Sequence, residues 1–367
     1  MDKRLYQIAL TQVAGLSCRS CRQMMEIYPD PEAIFQLSHK DLVELFSNHD
    51  KIINSIESGQ PIAVAKKELE FVERYNIRVL FFTESDYPQR LNQPDCGDTP
   101  ILLYMRGDCD LNGKRMLSVV GTRRATPYGL ENTRRIIEQI REENVIVVSG
   151  LAYGIDTAAH SSALDYGLST IGVLGHGLDQ IYPTSNRSLA KKMIEHGGLV
   201  TEYPSGTKIC PQLFPARNRI IAALSDATIV VEAATKGGAL ITAAIANSYH
   251  RDVFAVPGRL FDSYSAGCNN LIADNKAILI RNADDIFYIL NWQRADANKS
   301  GEQQRLFPDL SKDEQAIYQL IHENGELTLD EIATKLQLSL PKIAAASLNM
   351  ELSGIIKCLP GKKYVTM

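Results

Sequence analysis

No apolar run of 18 residues occurs in the 367-residue chain, which excludes a membrane-spanning helix. Lys3 and Arg4 stand near the amino terminus, but Gln7, Thr11 and Gln12 interrupt what would be the apolar centre of a secretory signal, so a cytoplasmic protein is expected. The seven cysteines, odd in number and scattered from Cys18 to Cys358, make no disulfide framework and fit a reducing compartment. Cys18 and Cys21 form one CxxC, yet no second pair completes a four-ligand set, and no metal is expected. Positive charge is also short. Lys and Arg total 39 against 43 Asp and Glu, a net of −4, so any nucleic-acid surface must be local. The GxGxxG dinucleotide fingerprint is missing after the first strand of the central alternation, where GTRRATPYG stands, and no cofactor is expected.

What is present fits a soluble chain of two or three domains, 45% apolar and 22% charged. Residues 1–60 read as a small helical domain, with DPEAIFQLS and SHKDLVELF each opening on a capping-type residue. Its Val13-Ala14-Gly15-Leu16 turn loosely resembles a helix-hairpin-helix, with Ser17 in place of a second glycine. Residues 61–110 read as a connector packed on the next domain, a helix through KKELEFVERYN and a strand in IRVLFF. From 111 to 291, strand-like runs at MLSVVG, VIVVSG, STIGVLG, GLVTEY, ATIVVEA, DVFAVPG and AILIRN alternate with helical stretches. Continuous apolar strands in that alternation predict an α/β fold, a Rossmann-like, doubly wound parallel sheet of about seven strands.

In such sheets ligands bind beyond the carboxyl ends of the strands. Here those ends include Gly121, Thr122, Arg123 and Arg124, then Ser149 and Gly150, Gly175 and Gly177, Glu202, and Glu232 through Lys236, Gly237 and Gly238. Glycines at so many strand ends allow close backbone approach to a ligand.

Residues 292–307 read as a polar linker, and 308–367 as three helices and a hairpin turning at Pro360-Gly361, a winged-helix pattern. From Pro308 on, six lysines face eight acids, and the third helix carries only Lys342. Because phosphate contacts dominate duplex affinity, a protein-contact role is favoured over duplex reading.

Within the central domain, FPARNRIIAALS places Phe214, Arg217 and Arg219 at the expected start of a helix. Two cations there oppose the helix dipole unless an anion meets them. One reading is a nucleic-acid backbone held by Arg217 and Arg219 with a base stacked on Phe214. The other pairs both arginines with nearby glutamates and leaves Phe214 in the core.

VVGTRRATPYG, VSGLAYGIDTAAHSSAL, TIGVLGHGLDQIYPTSN, LVTEYPSG, FPARNRIIAALSDATIVVEA, GALITAAIA and VFAVPG, in this order, closely resemble the DNA-processing protein A family, also called DprA or Smf. SDYPQRL, TPILLYMRG and the terminal winged helix are similar to it as well, so the likeness spans about 80–367. The resemblance implies a bacterial protein that binds incoming single-stranded DNA during natural transformation, loads the recombinase RecA, pairs as a homodimer through the Rossmann-like domain, and performs no catalysis. It also implies that Arg123 of the first glycine loop, with Phe214, Arg217, Asn218 and Arg219, lines a positive DNA pocket. Lys236 departs from the family pattern, standing where a Ser-Gly-Ser-Leu segment is usual.

The alternative on the same fold is a nucleotide phosphoribohydrolase, whose PGGxGTxxE motif ends in a catalytic glutamate. The corresponding stretch, Lys236 to Ala244, has Ala244 in that place. Asp156 and His160, four residues apart on one helical face, have no evident nucleophile or metal partner, so Asp156 is read as bonding backbone amides and His160 as packed. Glu202 and Glu232 are expected to orient the arginines.

Overall fold

The computed structural model describes residues 2–46, 49–93, 96–293, 310–352, 355–359 and 363–366. The expected Pro360-Gly361 turn and nearly all of the linker lie outside these. Residues 1–295 form one compact unit and 296–367 a second. No helix among the described residues is long and apolar enough to cross a membrane.

The chain opens with α1 (Lys3–Thr11), α2 (Cys18–Ile27), α3 (Pro31–Ile34), α4 (His39–Leu45), α5 (Asp50–Glu57) and α6 (Gln60–Arg74). Asp2, Ser17, Asp30 and Ser38 each accept a first-turn amide, which fixes where four of these helices begin. Ser17 thus has its own task at the turn where a second glycine is absent. Residues 1–60 are not separate from the rest of the first unit. Ile8 and Leu10 share one apolar core with Ala65 and Val72 of α6, and that core continues into Phe81, Leu102 and Leu199 of the sheet.

Nine strands make the main sheet: β1 (Arg78–Phe81), β2 (Leu102–Arg106), β3 (Arg115–Gly121), β4 (Val145–Ser149), β5 (Thr170–Val173), β6 (Gly197–Thr201), β7 (Ala227–Glu232), β8 (Asp252–Ala255) and β9 (Ile278–Leu279). Their order is β1-β2-β6-β5-β4-β3-β7-β8-β9. β3 to β9 pair in parallel, while β2 pairs antiparallel with both β6 and β1. The seven strands of the expected doubly wound sheet are therefore present, with an antiparallel pair added at one edge. Period-two alternation supplies both faces: Met116 and Val120 of β3 enter one core, Leu117 and Val119 the other.

The connecting helices are α7 (Pro127–Gln139), α8 (Ile155–Asp165), α9 (Arg187–His196), α10 (Leu213–Leu224), α11 (Gly238–Ser248), α12 (Ala266–Ala273) and α13 (Ala283–Ile289). Ile136, Ile155 and Ile286 cover one face of the sheet, and Ile220, Ala243 and Leu271 the other. The connector is tied to the sheet by Arg90, whose Nε and Nη2 donate to the Asp226 carboxylate at 2.7 and 3.0 Å. Strand order reverses between β3 and β7, where their following loops diverge and open a crevice.

The second unit contains α14 (Lys312–Asn324), β10 (Leu327–Thr328), α15 (Leu329–Leu336), α16 (Leu340–Leu352), β11 (Ile356–Leu359) and β12 (Lys363–Thr366). A three-stranded sheet in the order β10-β12-β11 completes a winged helix. Ile317, Ile321, Ile332, Ile343 and Met350 fill its core.

Candidate nucleic-acid interface

A cleft of about 1070 Å³ occupies the crevice at the strand-order reversal. That is the upper end of the roughly 300–1,000 Å³ typical of ligand pockets. Gly121 at the end of β3 with Thr122 and Arg123 after it, Phe214, Arg217 and Asn218 of α10, and Lys236 and Gly237 just before α11 with its first residue Gly238 all line it. These nine of the sequence-predicted residues meet in one place.

Their roles are not equivalent. The helix bearing Phe214 starts at Leu213, earlier than the sequence pattern suggests, so Arg217 and Arg219 lie in its second turn and clear of the dipole end. Pro215 fits the first turn because its missing N–H would have had no intrahelical partner. Arg217 points inward and is only 3% exposed. Its Nη1 donates to the carbonyls of Gly150, at 2.7 Å, and Val173, and its Nε to Asn218 Oδ1 at 3.3 Å. Among the described residues no carboxylate lies within ion-pairing distance of this guanidinium. Burial lowers its pKa to about 10, the Asp156 charge acting against that and Arg123 with it. At neutral pH the floor of the cleft therefore holds a buried positive charge that feels the Asp156 carboxylate but makes no direct ion pair with it, and such burial costs several kcal/mol.

Asp156, buried and also lining the cleft, accepts the amides of Gly150 and Ala152 at 3.1 and 3.3 Å. Burial raises its pKa, opposed by Arg217 and by those amides. His160 is fully buried with Nδ1 2.7 Å from Thr170 Oγ1. Both placements agree with structural roles for this pair.

Arg219 takes the pairing alternative. Its Nη1 and Nη2 each lie 2.7 Å from an oxygen of Glu202, a two-point pair that occupies both nitrogens. Glu232 pairs with no arginine among the described residues. It accepts the Thr126 amide and hydroxyl at 2.9 and 2.6 Å and so anchors the start of α7.

The rim is cationic and aromatic. Arg123 is exposed, and its guanidinium carbon sits 5.5 Å from the centre of the Phe214 ring. Tyr182 packs on the same ring at 5.6 Å while remaining 41% exposed. Tyr153, also exposed, shares a slot with Arg123, Tyr182 and Phe214. Lys236 is exposed and makes no ion pair among the described residues. Tyr153 and Tyr182 escape the sequence reading, since a strand-end tyrosine looks the same whether buried or exposed. Their position beyond the ends of β4 and β5 was the available signal.

The remaining candidates have roles in the fold or lie beside the cleft, and Gly150 also lines the slot next to Tyr153. Ser149 is buried and donates to Val119 O at 2.7 Å. Gly150 packs under Arg217, Gly175 against Phe214 and Gly177 against the Pro204 carbonyl. Arg124 is exposed beside the cleft, with its amide bonded to the Thr122 hydroxyl at 3.1 Å. At Ala244, where a phosphoribohydrolase has its glutamate, the cleft wall is apolar. The described residues contain no cluster of His, Cys, Asp or Glu that could hold a metal.

An open α/β sheet with a cationic, aromatic-rimmed cleft at its strand-order reversal places the chain among α/β proteins with a crevice where such sheets hold ligands. The particular family emerges from comparison. The profile of DNA recombination-mediator protein A matches residues 78–291, and that of the DprA winged helix domain matches 301–362. The chain belongs to this family of DNA-processing proteins. Protein Smf of Synechocystis is 31% identical, with 99% of this chain and 98% of the relative covered. The structure of DNA processing protein A from Streptococcus pneumoniae superposes with a TM-score of 0.67 at 32% identity, covering 78% of this chain and 98% of that one. DNA processing protein A from Helicobacter pylori, solved for its single-stranded DNA binding mode, gives 0.53 at 30% identity over 59% of this chain and 96% of its own.

Proposed function

We propose that the cleft binds single-stranded DNA without base preference, and that the protein delivers the bound strand to RecA during natural transformation. The observation that carries this reading is the buried guanidinium of Arg217, which has no salt-bridge partner among the described residues, beneath exposed Arg123 and Lys236, an arrangement that a phosphate backbone would neutralise. Arg123, Arg217 and Lys236 each take a phosphate, while Arg219 holds Glu202. Phe214 stacks a base, a contact worth about 1–3 kcal/mol. Three neutralised phosphates correspond to a log–log salt slope of about −2, from roughly −0.7 per contact.

Pairing of two copies through the Rossmann-like domain is supported by the β9 edge, where Ile278 and Leu279 are 42% and 40% exposed. A protein-contact role for the winged helix is supported by Lys342 of α16, whose Nζ pairs with Asp313 at 2.6 Å. Besides Lys342, α16 exposes Leu340, Pro341, Ala344, Ala345, Leu348 and Asn349, a face with no second cation.

Titration of fluorescent oligo-dT against the wild-type protein and the Arg123→Glu variant tests the cleft. Arg123 is exposed and makes no ion pair among the described residues, so its replacement leaves the fold intact. A fall in affinity of tenfold or more is expected, whereas equal affinities would remove the cleft as the binding site. Release of free base from nucleoside monophosphates would instead favour the hydrolase.

A further inference from the structure

We propose that the strand leaves the cleft across Tyr182 and continues along the outer face of α9, where Arg187 and Lys191 each meet a phosphate. The inference rests on the cleft holding single-stranded DNA and adds a direction and an extent to it.

The starting point is Tyr182. It lines the cleft, leans on Phe214 with the two ring planes 43° apart, and keeps 41% of its surface exposed. Its hydroxyl has no partner among the described residues. A base following the one on Phe214 meets this ring next, and stacking is indifferent to base identity. From Tyr182 the chain passes through Pro183 and a single turn, Thr184–Asn186, directly into α9. Asn186 pins that entry to the rim of the cleft, because its Nδ2 donates to Leu151 O at 3.0 Å and to Thr157 Oγ1 at 2.9 Å. The amino end of α9 is thus held in place beside the ring, with its dipole positive toward the strand.

Arg187 and Lys191 are one helical turn apart on a shared face and both exposed. Four residues advance about 6 Å along a helix axis, of the order of the step between successive phosphates in an extended strand. Neither makes an ion pair among the described residues. Other exposed arginines of this unit divide: Arg134, Arg135, Arg141 and Arg281 pair with acids, whereas Arg19, Arg74, Arg123, Arg124 and Arg259, like Arg187, make no ion pair among the described residues, so the position beside Tyr182 is what singles this one out. In a chain of net charge −4, two adjacent cations left unpaired beside an aromatic platform are placed for an anion from outside. Glu195, the next residue on that face, ends the stripe and limits the track to these two contacts.

The test compares the full-length protein with the Arg187→Ala/Lys191→Ala double variant, using oligo-dT of roughly 4 and roughly 16 nucleotides, the span of site sizes known for single-strand grooves. Affinity is measured at several salt concentrations. Five contacts predict a slope of about −3.5 for the long strand on the wild type and about −2 on the double variant, with the short strand bound alike by both. Equal slopes for the long strand would overturn the exit path while leaving the cleft in place. Failure of the wild type to bind either strand would overturn the cleft, and the path with it. In a second measurement, 5-iodouracil placed next to the cleft-bound position should photo-crosslink to Tyr182. Crosslinks confined to Phe214 would count against the path.

Discussion

Gly150 lies directly beneath the guanidinium of Arg217, so close that a Cβ added there would stand 2.4 Å from Nη2. The same glycine gives Arg217 its carbonyl, at 2.7 Å, and gives Asp156 its amide, at 3.1 Å. A residue expected to approach DNA, and one that lines the slot beside Tyr153 and Tyr182, also allows a charged side chain to be buried. Gly150→Ala must therefore displace Arg217 and break bonds to a charged group worth about 1.5–3 kcal/mol each. The expected outcome is a lower melting temperature together with at least a tenfold loss of oligo-dT affinity, about 1.4 kcal/mol. Gly237→Ala, whose Cβ would meet nothing within 4 Å, should leave the melting temperature unchanged. Thermal unfolding and anisotropy titration on both variants check this.

Glu202 and Arg219 form a pair in which each side chain is about 15% exposed, at 15% and 16%. Removing one partner of a buried pair costs about 3–5 kcal/mol, because the other is left charged and unpaired. Glu202→Gln is expected to destabilise the protein by about 3 kcal/mol, and Glu202→Gln/Arg219→Gln by less than the sum of the single changes. Since Arg219 is committed to Glu202, the folded double variant should keep its oligo-dT affinity within about twofold. Urea unfolding gives the cycle and anisotropy the affinity. A tenfold loss of binding, or 1.4 kcal/mol, would return Arg219 to the DNA surface.

The parallel sheet was legible because strands buried on both faces must be apolar throughout, as VIVVS and ATIVVE are, with all their residues buried. The rim was legible because a strand's carboxyl end is marked by where its apolar run stops. The orientation of each arginine was not. Arg217 and Arg219 are two residues apart on one helix, so they project in directions about 200° apart, from 3.6 residues per turn. One meets carbonyls and the other Glu202, and nothing in FPARNRIIAALS names those distant partners. The continuous core of α1, α6 and the sheet edge was hidden for the same reason, since it joins Ile8 to Phe81 and Leu199.

The winged helix carries little of what a phosphate backbone needs. Lys363 Nζ pairs with Glu326 at 2.9 Å and Lys335 Nζ bonds Asn324 Oδ1 at 2.8 Å, in addition to the Lys342 pair. Deleting residues 308–367 is accordingly expected to leave oligo-dT affinity within tenfold, or 1.4 kcal/mol. A larger loss in the titration would assign this unit a direct part in holding DNA.

His160 gives the protein a pH dependence whose sign can be worked out. The Thr170 hydroxyl donates to Val147 O at 2.9 Å, so it accepts from His160 Nδ1–H, leaving Nε2 as the bare nitrogen. Nε2 is buried with no hydrogen-bond partner among the described residues, so a proton there would be poorly solvated. Burial lowers the pKa to about 3, and the charge of Arg217 pushes the same way. Below its ordinary value near 6.5 the unfolded chain binds a proton that the folded chain does not. Stability from this residue is therefore full above pH 6.5 and is lost as the pH falls toward about 3, at up to about 1.4 kcal/mol per unit. Between pH 7 and pH 5 the loss amounts to about 2 kcal/mol. Other groups titrate in this range too, but they are common to the wild type and a His160→Gln variant. In urea unfolding at the two pH values, the wild type is expected to lose about 2 kcal/mol more than His160→Gln. Parallel losses would mean that His160 takes up its proton within the folded core.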